Sequence, residues 1–204
     1  AAPSFNLNGT VAGNTINAIF AALWGSTVNF VAGFTNANTP VIFDDGSTAV
    51  FTGSGTITPT AAITFGNIQI NAASTVTLAG NISVANSWTN LGGTLIPGTN
   101  TVTFNGTGTQ MITKAGATET FYNLISNTAG PLMLAATTDV MVTNALTMTA
   151  GNYNLNSGTL TLGNSAAGTL VRSAGTMYGG IFKRWFPVAS ISSTVAPRYG
   201  LFPM

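Results

Sequence analysis

Acid–base, nucleophilic and metal chemistry all require titratable side chains, and this chain has few. Of its 204 residues only nine are charged: Asp44, Asp45, Lys114, Glu119, Asp139, Arg172, Lys183, Arg184 and Arg198. Histidine and cysteine are both absent. General acid–base work needs two positioned titratable groups. The adjacent Asp44 and Asp45 lie in the stretch FDDGS, whose Asp-Asp-Gly reads as a turn. A calcium loop would require further oxygen ligands at short spacing, and they are missing. Glu119 and Asp139 stand alone in the sequence, and Glu119 is expected to be solvated near Lys114. Serine and threonine are plentiful, but there is no histidine base and only two lysines to replace it. The stretch TGSGT (52–56) lacks the lysine and helix of a phosphate-binding loop. The expectation is a protein that is not an enzyme, with no catalytic residues, metal site or cofactor.

One segment mixes aromatic and basic residues, MYGGIFKRWFP (177–187). Tyr178, Phe182, Lys183, Arg184 and Trp185 are the candidate ligand or partner contacts, suited to stacking sugars and pairing with acidic groups. The competing expectation is a cap in which Phe182, Trp185 and Phe186 cover the open end of a stacked core. A net charge of +1 argues against nucleic acid, which calls for a far more basic face.

The composition is unusual in the same direction. Charged residues make up 4%, against about a quarter in an ordinary soluble domain. Hydrophobic residues make up 45%, and the polar remainder is mostly Thr, Asn, Ser and Gly, so disorder is not expected. The most apolar stretch, INAIFAALWG (16–25), is too short for a spanning helix. A transmembrane barrel would show longer alternating segments and aromatic girdles. Residues 15–26 have a helix-like start and a glycine stop, but read equally well as an apolar strand. The opening AAPS would fit a mature end left by cleavage after small residues.

The clearest signal is an internal repeat. TFGNIQI (64–70) recurs as TFYNLIS (120–126), pairing Phe65 with Phe121, Asn67 with Asn123 and Leu78 with Leu134 at a spacing of 56. A two-residue insertion moves the spacing to 58, matching Ile82 with Val140, Trp88 with Leu146, and TVTF (101–104) with TLTL (159–162). FTGSGT (51–56) resembles FNGTGT (104–109). Inside this repeat, aliphatic strand centres at Val50, Ile68, Val84, Val102, Leu124, Val142 and Leu160 suggest a coil of about 18 residues. Around them the text alternates apolar and polar residues, the mark of half-buried strands. Glycine- and asparagine-rich breaks supply the turns. Nested periods favour a parallel β-solenoid with about three coils per long repeat. Stacking explains the composition: like charges in register would repel, whereas threonine and asparagine can ladder. On this reading TFYNLIS recurs because a coil must match its neighbour.

The stretch VTFNGTGTQMIT…TFYNLISN…NALTMTAGNYNLNSGTLTLG (102–163) resembles the repeats of large secreted bacterial surface proteins. GTLVRSAGTMYGGIFKRWFP (168–187) resembles the segment that comes after such repeats. The resemblance covers about 45–187 and is poor over 1–44. It implies a parallel β-helical adhesin-like fold, export across the outer membrane and a sorting domain, of which none is visible here.

Together these readings predict an all-β parallel solenoid. Residues 1–44 form a short N-terminal cap or assembly segment, 45–170 the repeats, and 171–204 an aromatic cap or junction. The expected role is a secreted, structural or adhesive cell-surface protein, not membrane-spanning, that forms homo-oligomers or filaments. Surface glycans are a second expected partner. An ice-binding solenoid is the alternative, from Thr-x-Thr at 75–77, 101–103, 147–149 and 159–161.

Overall fold

The structure, a computed structural model, describes residues 4–7, 14–16, 20–22, 24–36 and 41–186. These form a parallel β-solenoid without helices. The chain winds through three strands per coil. The first coils are β1 (Ser4–Leu7), β2 (Asn14–Ile16) and β3 (Phe20–Ala22), then β4 (Thr27–Phe30), β5 (Phe34–Asn36) and β6 (Val41–Phe43). They continue through β7 (Thr48–Phe51), β8 (Gly55–Pro59) and β9 (Thr64–Phe65), and β10 (Asn67–Ile70), β11 (Thr75–Leu78) and β12 (Ile82–Val84). Next come β13 (Ser87–Asn90), β14 (Thr94–Ile96) and β15 (Thr101–Phe104).

In the next two coils the second and third strands run together: β16 (Gln110–Lys114) leads to β17 (Glu119–Asn127), and β18 (Leu132–Leu134) to β19 (Val140–Ala150). The described ladder finishes with β20 (Tyr153–Asn154), β21 (Thr159–Leu162), β22 (Thr169–Arg172), β23 (Met177–Tyr178) and β24 (Ile181–Arg184). The first face stacks nine strands, β1-β4-β7-β10-β13-β16-β18-β20-β23. The second runs β2-β5-β8-β11-β14, then through the first halves of β17 and β19 to β21 and β24. The third contains β3, β6, β9, β12 and β15, then the second halves of β17 and β19, then β22.

Alternation builds the core. Ile68, Val84, Val102, Leu124, Val142 and Leu160 are all buried, as their strands' period of two requires. The lower coils pack phenylalanine on phenylalanine: Phe30 stacks on Phe51 with centroids 5.1 Å apart, and Phe43 meets Phe65 at 4.7 Å. Val50 is an exception to the expected register. It pairs with Asn29 and Gln69 in the outward rank, while Ala49 and Phe51 are the inward residues of β7.

The coil is longer than the 18 residues expected. Stacked partners lie 19 to 24 positions apart, as Ala49–Ile68 and Trp88–Ile112 illustrate. Strands and corners both vary in length, so no single period survives in the sequence. The long repeat therefore does not hold three coils, and its copies do not stack on each other. Phe65 lies in β9 on the third face, whereas its match Phe121 lies in the first half of β17 on the second face. Between them the chain passes eight strands, two coils and two-thirds. Leu78 and Leu134, and Trp88 and Leu146, show the same shift by one face.

Each copy nevertheless keeps its local job. In FTGSGT and FNGTGT the phenylalanine (Phe51, Phe104) points inward and the first glycine turns the corner. A Cβ on Gly53 would overlap the Val31 carbonyl oxygen, and one on Gly106 the Ala85 carbonyl oxygen. No residue but glycine lets the coil descend so closely on the one before.

Asparagine and aspartate tie successive coils. The backbone N–H groups of Ser87, Thr101 and Thr159 donate to the side-chain oxygens of Asn67, Asn81 and Asp139, at 3.2, 2.8 and 2.7 Å. Asp139, isolated in the sequence, is one of these staples. The Asp44–Gly46 turn is present as expected, and the Asp44 carbonyl accepts from Ser47 Oγ at 2.7 Å.

The ladder crosses residues 45 and 170 without a break, since β4 pairs β7 and β21 pairs β24. Where residues 15–26 read as helix or strand, β2 and β3 are strands; residues 17–19 and 23 lie outside the described residues. No described helix is long and apolar enough to cross a membrane.

Candidate functional site

The most concentrated polar chemistry lies inside the solenoid. Glu119 opens β17 with its side chain turned inward, two positions before buried Phe121. It is 2% exposed, which corrects the expectation of a solvated carboxylate. Its Oε2 accepts from Trp88 Nε1 at 2.9 Å and from Asn90 Nδ2 at 2.8 Å, both on β13 of the coil below. Trp88 meets the Phe121 ring edge-on, with centroids 5.3 Å apart. Lys114, at the end of β16, donates from Nζ to the Gly93 carbonyl at 2.6 Å. A cleft of about 500 Å3 opens beside them, bordered by Gly92, Gly93, Lys114, Gly116 and Thr118. Parity held the signal for the inward carboxylate: residues 119 and 121 share a face, and the repeat marks Phe121 as core.

Burial pushes the Glu119 carboxyl above its ordinary value of 4.5. The Trp88 and Asn90 hydrogen bonds and the nearby Lys114 charge oppose that rise without cancelling it. The folded state thus holds a proton that the unfolded chain has lost, over the window from 4.5 upward to the raised value. Stability contributed by this group falls as pH rises through that window. Replacing Glu119 with Gln should flatten the dependence. In thermal melts between about pH 4 and about pH 8, the Glu119→Gln chain should gain on the wild type as pH increases. Parallel curves for the two proteins would contradict this assignment.

The aromatic-basic segment lies on the uppermost described strands. Phe182 pairs with buried Leu160 and packs against the core, the position a cap residue would take. Arg184 donates from Nη2 to the Gly168 carbonyl at 2.9 Å and lies over the Phe186 ring at 5.5 Å. Trp185 is half-buried, its backbone N–H donating to the Leu162 carbonyl at 2.9 Å. Tyr178 and Lys183 are exposed but diverge: Tyr178 extends the first face above Asn154, Lys183 the second above Thr161. The five residues are neighbours in sequence without forming one surface.

The outward ranks of the three faces differ. On the first and third faces, several amide side chains are tied into the coil. Asn67 Nδ2 donates to the Ser47 carbonyl at 2.9 Å, Gln69 to Asn71 at 2.8 Å, and Asn144 to Asn123 at 2.7 Å. The second face is mainly threonine. Thr35 stands beside Thr58, Thr56 beside Thr77, and Thr75 beside Thr94. Of the Thr-x-Thr pairs noted in the sequence, 75–77 and 159–161 lie on this face, while 101–103 and 147–149 lie on the third.

Among the described residues no three acidic side chains gather into one group. Comparison with known families, curated proteins and solved structures finds no match to the chain.

Proposed function

We propose that the chain is a non-enzymatic structural module of the bacterial cell exterior, which extends from the surface and joins copies of itself into a filament or sheath. What supports this reading is the charge on its strands. Between Thr27 and Leu162 the only charged residues within strands are Lys114 and Glu119, and Glu119 is buried. Solvent-facing charge is the usual device that keeps parallel sheets from joining edge to edge or face to face. Here the device is nearly absent. At the top of the described ladder, β23 and β24 each have one hydrogen-bonded neighbour, and Val171, Tyr178 and Ile181 are exposed beside them. The extracellular placement rests on the resemblance of residues 102–163 to surface-protein repeats.

Sedimentation velocity across a concentration series, with negative-stain microscopy, tests the reading. Wild type should form particles that grow with concentration. Ile181→Lys, which puts a charge at a position 55% exposed, should shift them toward the single chain without lowering the melting temperature. A dispersed monomer at high concentration would sink the proposal.

A further inference from the structure

The second face carries an array that self-association does not use. Its outward residues come two per strand, about 6.6–6.8 Å apart along the strand, and the ranks recur at about 4.7–4.9 Å across it. Thr56, Thr58, Thr75, Thr77 and Thr94 fill neighbouring points of this lattice on three successive coils. Thr159 and Thr161 repeat the pair on β21, where Met141 below and Ile181 and Lys183 above replace threonine neighbours. Threonine is stiff at χ1, so its hydroxyl and methyl recur with the backbone rather than wandering independently.

These hydroxyls are also uncommitted to the coil. Among the described residues, the side chains of Thr56, Thr58, Thr75, Thr77, Thr94 and Thr161 make no hydrogen bond to the protein. The outward asparagines and glutamine of the other faces are held by the coil itself. Within the strands from β5 to β14 the outward rank contains no charge and no aromatic ring, and Ile96, 45% exposed beside Thr77, is an aliphatic point in it. Without charge it does not select ions, and without rings it has no platform on which a sugar could stack.

A regular, uncharged lattice of alternating hydroxyl and methyl groups matches one kind of ligand, an ordered lattice of water. We propose that the second face binds the surface of ice. Each hydroxyl exchanges a hydrogen bond with a lattice water, and each methyl fills the recess between them. The inference is independent of assembly, because Ile181 pairs with Thr159 on β21, beyond the ranks from Thr35 to Thr94.

The test uses the whole chain in ice-recrystallisation and ice-affinity partition assays. Wild type should partition into ice and suppress recrystallisation. Thr77→Lys, at the centre of the array, should raise the concentration required by roughly tenfold or more, a change of about 1.4 kcal/mol per decade. Thr103→Lys places the same charge outward on the third face, beside Ser83 and Ile125, and should leave ice binding unchanged. Circular dichroism establishes that both variants are folded. Failure of wild type to enter ice, or equal losses from Thr77→Lys and Thr103→Lys, would overturn the proposal. So would preferential retention on crystalline cellulose, which would make the ligand a sugar lattice.

Discussion

Replacing Leu124 with Asp should abolish the cooperative fold. Leu124 is fully buried in β17, stacked between Val102 below and Leu146 above. A carboxylate there has no donor within the apolar rank and costs about 3–5 kcal/mol. Total stability of an ordinary domain is of order 5–15 kcal/mol, so this single change removes a large share of it. In a solenoid each coil rests on its neighbours, and the damage spreads along the stack. The adjacent Asn123 provides the control. It faces outward, receives a hydrogen bond from Asn144 at 2.7 Å, and should tolerate Asp with a far smaller loss. Thermal melts followed by circular dichroism decide the matter: an unchanged midpoint for Leu124→Asp would refute the inward assignment.

Trp88→Ala should be almost as severe, for a compound reason. Removing a buried indole leaves a cavity worth about 3–5 kcal/mol. The same change takes away one of the two side-chain donors to Glu119 Oε2 and strands a buried carboxylate. The two parts can be separated. Trp88→Phe retains most of the packing against Phe121 but lacks the N–H, and should cost about 1–3 kcal/mol. In the Glu119→Gln background that cost should shrink, because a neutral amide needs the donor less than a carboxylate does. Urea unfolding of the four proteins closes the cycle, and additive effects would mean that the indole and carboxylate are not energetically coupled.

Strand character and facing were legible because they are local. Thr-Val-Thr-Leu at 75–78 or Thr-Leu-Thr-Leu at 159–162 states which side is buried, and the structure agrees at both. The stacking step was not legible, since it depends on corner length. From Ile82 to Val102 the step is 20 residues, and from Leu146 to Leu170 it is 24. An averaged period hides such variation, and it misplaced Val50 by one position. The Glu119 cluster was hidden for another reason. Its carboxylate lies 31 residues from the Trp88 indole and 29 from the Asn90 amide, and they meet only through the coil geometry. A lone glutamate among small polar residues looks solvated until the parity of β17 is known. Of the second-face threonines, the pairs at 75–77 and 159–161 were seen as motifs, whereas Thr35, Thr56, Thr58 and Thr94 were not, and the assignment to faces required the register.

The mismatch between an eight-strand sequence repeat and a three-strand coil makes the solenoid a screw. Eight and three share no factor, so every tandem copy starts one face out of phase with its predecessor. The outward pair of TVTF (101–104) illustrates this: its copy in TLTL (159–162) projects from a different side. Duplication alone would wind any motif around the long axis and return it to its starting side only after three copies. The threonine ranks from Thr35 to Thr94 lie within about one copy's length, and a surface kept uniform beyond it runs against that winding. It has to be maintained by separate substitutions at unrelated positions of each copy. The repeat supplies length and strand rhythm, and the sidedness of the molecule is written over it.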